Sequence, residues 1–301
     1  MKPWQSLLLR GALAIVGFFV TLLPRALELP LGCNLGRALF ALGGSRVRVA
    51  RENLINCYPA MSDAEREQLL KSQFEHLGIL ALELLHLFSP VAGHYRRYLS
   101  RIGHLEGLEN WHAANAKGKG TIFVSAHMGN WESMVGTGAL GGVPLTMVTK
   151  HLKPEWLHRK VEASRLTVGV KGAYEPRTLP IVMRALRAGE SVGFVMDQYA
   201  GPPIGIPVPF FGVKVGTLAA VSVLVERTGA AVVPVSSLRG ADGIVRTIIE
   251  PEMKLDAVAS DNERCTAALT AHVESWVRAK PEQWLWIHRR FKNVVWPRRM
   301  P

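Results

Sequence analysis

From about residue 102 onward the chain alternates short apolar runs with longer amphipathic ones. Residues 121–126, 144–149, 192–196 and 231–236 are apolar, rich in β-branched side chains, and read as strands. Residues 155–168, 179–188, 217–227 and 261–280 carry the helical period. Strands that alternate with helices imply an α/β fold, with a mainly parallel sheet flanked by helices on both faces. The region before residue 100 has a different pattern. Ser62-Asp63-Ala64-Glu65 is a capping box that opens a helix, and Leu70, Phe74, Leu77, Ala81, Leu84, Leu85 and Phe88 follow at helical spacing. The expected organisation is an anchor over residues 1–25, then a single α/β unit over 26–301 that is helical to about residue 100.

Within the alternating region, Thr121-Ile122-Phe123-Val124-Ser125-Ala126-His127-Met128-Gly129-Asn130-Trp131-Glu132 reads as strand, tight turn and first helical turn. Asn130 is the expected N-cap, and Glu132 lies in the first turn. His127 then sits at the carboxyl end of a strand facing a helix N-terminus, where open α/β sheets bind ligands. A Glu five residues after a His, across a turn, can fold back and hold one ring nitrogen. The other nitrogen is left to take a proton from a substrate hydroxyl. The turn or helix N–H groups near Gly129 and Asn130 are the expected oxyanion donors. The structural alternative is a packed His, with Glu132 serving only the helix dipole.

Asp197-Gln198 ends the strand at 192–196, so its carboxylate points to the same crevice. It either orients a substrate hydroxyl, pairs with Arg165, or caps the next turn. A lone Asp is too few ligands for a metal, and none is expected. Phe210 and Phe211 close a Pro/Gly-rich loop over 201–212, as the lining of an apolar slot or as a plug on the core; Thr217 is expected to cap the following helix. Near the end, residues 284–292 mix tryptophans with cations, as membrane headgroup belts do, and Arg298-Arg299 extend the basic tail.

The net charge of +12 asks for an acidic partner: an anionic membrane, an acidic carrier protein or nucleic acid. The cations are spread along the chain without a nucleic-acid motif, so nucleic acid is not expected. Hydrophobic residues make up 48% of the chain and mean hydropathy is +0.13, values that suit a protein meeting lipid. Residues 7–23 form an apolar run interrupted by Arg10, between Lys2 and Arg25. No Ala-x-Ala site follows it, so a retained anchor, spanning or interfacial, is expected over a signal peptide or a buried core helix. Cys33, Cys57 and Cys265 are isolated and fit a reducing compartment.

His127-Met128-Gly129-Asn130-Trp131-Glu132 resembles the His-x4-Asp/Glu signature of glycerolipid-type acyltransferases, in the form found in bacterial lipid A biosynthesis acyltransferases. Asn53-Leu54 through Tyr58-Pro59, Asp197-Gln198, Phe210-Phe211-Gly212 with Thr217, and His288-Arg289-Arg290-Phe291-Lys292 are similar to the same family in the same order. The resemblance spans nearly the whole chain. It implies a glycerolipid-acyltransferase-like fold at the cytoplasmic face of a bacterial inner membrane, held by a single N-terminal anchor. It also implies acyl carrier protein as the thioester donor, a lipid A precursor as the anionic acceptor, and no cofactor. The family places a functional Arg ahead of a Gly such as Gly169, here Arg165, which either grips a phosphate with its planar fork or makes an ordinary surface pair. His127 is then the general base, oriented by Glu132, and the chain lacks Gly-x-Ser-x-Gly, so the acyl group passes directly to the acceptor. The rival readings are another acceptor (a lysophospholipid or glycolipid), hydrolysis of the thioester, and a non-catalytic lipid-binding protein on the same scaffold.

Overall fold

The computed structural model describes residues 3–296; Lys2 and the Arg298-Arg299 tail lie outside them. Helices come first: α1 (Pro3–Leu22), α2 (Arg25–Leu42), α3 (Ser45–Cys57), α4 (Asp63–Leu85) and α5 (His94–Ile102). The alternating part runs β1 (Gly103–Glu106), α6 (Leu108–Asn115), β2 (Thr121–Ser125), α7 (Trp131–Leu140), β3 (Leu145–Val148), α8 (Glu155–Leu166), β4 (Val170–Ala173), α9 (Thr178–Arg187) and β5 (Ser191–Val195). A hairpin follows, β6 (Gly205–Phe210) and β7 (Val213–Leu218). The chain then makes α10 (Ala220–Thr228), β8 (Ala231–Arg239), β9 (Val245–Ile249) and α11 (Asn262–Ala279).

Seven strands form one sheet in the order β1-β9-β8-β2-β5-β3-β4. β8, β2, β5, β3 and β4 run parallel, and β9 with β1 runs the other way at one edge. β2 is central and buried along its whole length, as an uninterrupted apolar strand between two parallel neighbours requires. Helices cover both faces, and the two largest core clusters lie on either side of the sheet.

The helical half attaches through α4, whose capping box forms as expected between Ser62 and Glu65. α2 packs against α4 with backbones nearly touching. A Cβ on Gly36 would lie 2.0 Å from the Phe74 carbonyl oxygen, and one on Gly78 2.1 Å from that of Gly32. α1 is not a buried core helix: over Trp4–Leu22 mean hydropathy is 1.7 and only 11% of the stretch is buried. Leu7, Leu8, Ile15, Phe18, Phe19 and Leu22 stand exposed along it. On α2, Leu27, Leu31, Leu35 and Leu39 recur every four residues, also exposed, and continue that apolar surface.

Three expectations change here. The 201–212 stretch is not a plain loop, since Gly205–Phe210 pairs with Val213–Leu218. Thr217 lies in β7 and not at a helix start, and α10 begins at Ala220. The 284–292 segment is not a surface belt. Trp284, Trp286 and Arg290 are almost wholly buried, and Phe291 packs with them.

Candidate active site

The site grows from the register of β2 on β5. Ser125 lies opposite Val195, so two residues beyond each strand end His127 and Asp197 come side by side on the same face. His127 Nδ1 is 2.7 Å from Asp197 Oδ1, and the His127 backbone N–H donates to Asp197 Oδ2 at 2.9 Å. The Trp284 indole N–H donates to that same Oδ2 at 2.7 Å. The carboxylate is buried and fully engaged, while the imidazole keeps one partly open edge. There its Nε2 meets the Gln198 side-chain amide at 3.4 Å, and its ring stands edge-on to Trp131.

Electrostatics follow from this contact. Burial opposes charge on the His127 ring, but the charge and hydrogen bond of Asp197 outweigh it and hold its pKa above the ordinary value. Burial likewise opposes charge on Asp197. The His127 charge, its ring and backbone N–H groups and the Trp284 indole overcome that and depress the carboxyl. Asp197 thus favours the tautomer with the proton on Nδ1, which leaves the Nε2 lone pair free to accept a proton.

Glu132 is not the group that orients His127. Asn130 caps α7 as expected, its side-chain oxygen accepting from the Ser133 N–H at 2.8 Å. Glu132 in the first turn is directed to α8, where Arg165 Nε and Nη2 donate to its two oxygens at 2.7 Å each. This fork-to-fork pair occupies the Arg165 edge that could otherwise grip a phosphate, and it is mostly buried, so it is not an ordinary surface pair either. It ties α7 to α8 beside the reactive turn.

Of the expected oxyanion donors, the two turn amides are also taken. The Gly129 N–H donates to the Gln283 carbonyl at 3.1 Å, and that of Asn130 to Ser237 Oγ at 3.2 Å. Gly129 has φ +54°, and a Cβ there would lie 2.2 Å from the Ser237 carbonyl oxygen, so the turn needs glycine to close against β8.

Phe210 and Phe211 are buried and plug the core. Phe210 packs on Trp284 and Phe291, and Phe211 on Tyr58 and Trp286, with the Arg278 guanidinium 4.3 Å from its ring centre. Arg290 is buried beside them. It donates to the carbonyls of Gln198 (2.8 Å) and Gly216 (2.9 Å) and to Thr217 Oγ1 (2.6 Å). Burial pulls its pKa down to about 10, with the Asp197 charge acting against that. Thr217 and Phe210 therefore belong to the packing that holds Asp197-Gln198 in place. Asn53, on α3, donates to the carbonyls of Trp286 and His288, which secures the same segment from the other side.

Sequence reasoning missed a buried network on α4. Glu83 accepts from Arg25 Nη2 (2.6 Å), Asn130 Nδ2 (2.8 Å) and Arg239, which also makes its closest contact with this carboxylate. Two turns earlier on the same face, His76 Nε2–H donates to the Gly129 carbonyl at 3.0 Å, and Arg239 Nη1 donates to its Nδ1 at 2.6 Å. Burial and the neighbouring Arg239 push the His76 pKa down to about 3, so the ring is neutral. Its one signal in sequence is a His and a Glu seven residues apart, on the inward face of a largely apolar helix that also carries Gln73. Glu83 and His76 hold the turn that carries His127.

The sequence profile of the bacterial lipid A biosynthesis acyltransferases matches residues 4–293. The chain belongs to this family. It is an acyltransferase by that membership, with the expected α/β architecture. It is 30% identical over 273 residues to a lipid A biosynthesis palmitoleoyltransferase of Escherichia coli (strain K12), covering 89% of this chain and 87% of that one. It is 27% identical over 282 residues to the lipid A biosynthesis lauroyltransferase of the same organism, covering 92% and 89%. Over 287 residues it is 25% identical to that organism's lipid A biosynthesis myristoyltransferase, covering 94% and 86%.

Proposed function

We propose that this acyltransferase adds a late acyl chain to a lipid A precursor, taking it from an acyl carrier protein thioester at the cytoplasmic face of the bacterial inner membrane. The observation that carries the mechanism is the His127–Asp197 contact: a buried carboxylate on Nδ1 and an accessible Nε2. The acceptor hydroxyl loses its proton to Nε2 as its oxygen attacks the thioester carbonyl carbon. The tetrahedral intermediate collapses, the C–S bond breaks, and the carrier thiolate leaves with the proton from the imidazolium. Ester and thiol are the products, and no acyl-enzyme forms. The turn amides of Gly129 and Asn130 are occupied, so the oxyanion falls to the N–H groups of Trp131 and Glu132. These open α7 and have no intrahelical acceptor.

Membrane attachment is supported by α1, whose 20 residues span about 30 Å, the thickness of a hydrocarbon core. The net charge of +12 suits both an acidic carrier protein and a phosphorylated lipid. The test is detergent-purified protein incubated with labelled acyl carrier protein thioesters, or the matching coenzyme A thioesters, and a tetraacylated disaccharide precursor. Label reaching the lipid from the carrier protein alone is the expected result. Label released only as free fatty acid overturns transfer, and equal use of coenzyme A overturns the donor.

A further inference from the structure

Between α1 and the start of α8 the fold leaves a cavity of about 730 Å³, in the size range of small-molecule sites. Ser6, Arg10 and Ala14, four residues apart, turn the same face of α1 toward it. On other faces Leu7, Leu8, Phe18 and Phe19 are exposed, so one wall is the apolar helix that would meet lipid. Across the cavity stand Trp156, Arg159 and Lys160 of α8, with Glu155. Three cations against one carboxylate leave the lining with a net charge of +2. Glu155 is already engaged by Arg159 at 3.0 Å and by His151 at 3.1 Å. Among the described residues no carboxylate pairs with Arg10 or Lys160. The Trp156 indole N–H is buried with no acceptor. Surplus donors and positive charge, walled by an apolar helix, match a multi-oxygen anion carried on an acyl chain.

We propose that this cavity binds the phosphate of a membrane lipid headgroup through Arg10, Lys160 and the Trp156 indole. It rests on the reading of the chain as an enzyme of lipids, and extends it to a recognition site outside the His127 turn. α8 connects the two: about 7.5 Å of helix axis separates Lys160 from Arg165, which holds Glu132 beside the reactive turn. The phosphate belongs either to the acceptor or to a bilayer phospholipid.

The experiment measures binding, not transfer, so it stands apart from the acyltransferase reading. Full-length protein in dodecyl maltoside micelles is titrated with the phosphorylated disaccharide precursor, its dephosphorylated form, phosphatidylglycerol, diacylglycerol and inorganic phosphate. R10Q and K160Q should each weaken binding of a phosphorylated lipid about fivefold. E155Q should tighten it, a direction that misfolding does not imitate. Loss confined to the disaccharide identifies the acceptor phosphate, and loss for phosphatidylglycerol as well identifies the bilayer headgroup; both support the site. Equal affinity of wild type and all three variants overturns it. So does a phosphate-free lipid that binds as tightly as its phosphorylated form, or inorganic phosphate that binds as tightly as either lipid. Expected binding without acyl transfer would leave the cavity in place and refute the reaction.

Discussion

Replacing Asp197 with Asn removes the charge on Nδ1 of His127 and keeps nearly the same shape. Asp197 accepts three hydrogen bonds, two of them on Oδ2 from the His127 N–H and the Trp284 indole. An Asn satisfies those two with its carbonyl, which turns its NH2 toward His127 Nδ1. The NH2 can only donate, so Nδ1 must accept and the ring proton moves to Nε2, where the base has to be free. The same substitution in a Ser-His-Asp triad lowers kcat about 10⁴-fold, and a loss of 10³–10⁴ is expected here, about 4–5.5 kcal/mol of barrier. The general base must be unprotonated. Because Asp197 raises the His127 pKa, the acid limb of the wild-type profile should lie above the ordinary histidine value of about 6.5. With the charge gone only burial remains, and the limb should move to lower pH. The assay is lipid acylation between about pH 5 and 9 at saturating substrates, with thermal unfolding to confirm the fold. If D197N keeps more than about a tenth of wild-type kcat and its acid limb does not move, Asp197 does not orient the base.

Glu132→Gln separates the two carboxylates. It breaks a mostly buried pair with Arg165 and should cost about 3–5 kcal/mol of stability, read as a lower Tm, while the acid limb stays in place. A limb that follows Glu132 would return it to the role at His127. Glu83→Gln leaves the Arg239 guanidinium buried without its counter-charge and should destabilise by a similar amount, about 3–5 kcal/mol, with kcat reduced and the limb unmoved; an unchanged Tm refutes the network. Stability should also depend on pH through the central pair. The depressed Asp197 contributes fully above about pH 3.9 and loses its contribution as pH falls through the folded value; the raised His127 contributes fully below about 6.5 and loses its own as pH rises through the folded value. The Tm difference between wild type and His127→Gln should therefore be largest between these limits, and a difference that grows above pH 8 contradicts the coupling.

The sheet was largely legible because its strands are long apolar runs, as at β2 and β5, and the N-cap at Asn130 was legible because capping is local. β1 (Gly-His-Leu-Glu) and β4 (Val-Lys-Gly-Ala) carry glycine and charge in place of the apolar run that marks the equally short β3. The β6–β7 hairpin was hidden by Pro207 and Pro209, which donate no hydrogen bond; a separate two-stranded ribbon tolerates them because both strands are edges. The pairing at the site was the part local spacing could not supply. His127 and Glu132 are close in sequence, but the helical turn that Asn130 starts carries Glu132 to Arg165, while parallel register brings Asp197 across 70 residues. The aromatic and cationic 284–292 segment looked like surface because charge usually is. Arg290 lies inside because two carbonyls and the Thr217 hydroxyl surround it, and a sequence does not display such acceptors. Glu83 was missed for the same reason.

The account's central claim is that the His127 imidazole, held by Asp197, takes the acceptor proton during direct transfer. The most direct measurement is a single turnover of labelled acyl carrier protein thioester with excess acceptor lipid, wild type against His127→Gln, followed by denaturing gel and lipid chromatography. The account predicts that label passes to lipid in the wild type with none held covalently on protein, and that the variant, folded by its Tm, leaves the thioester intact. Transfer by His127→Gln at a rate near wild type, or label trapped on the protein before it reaches lipid, would contradict it.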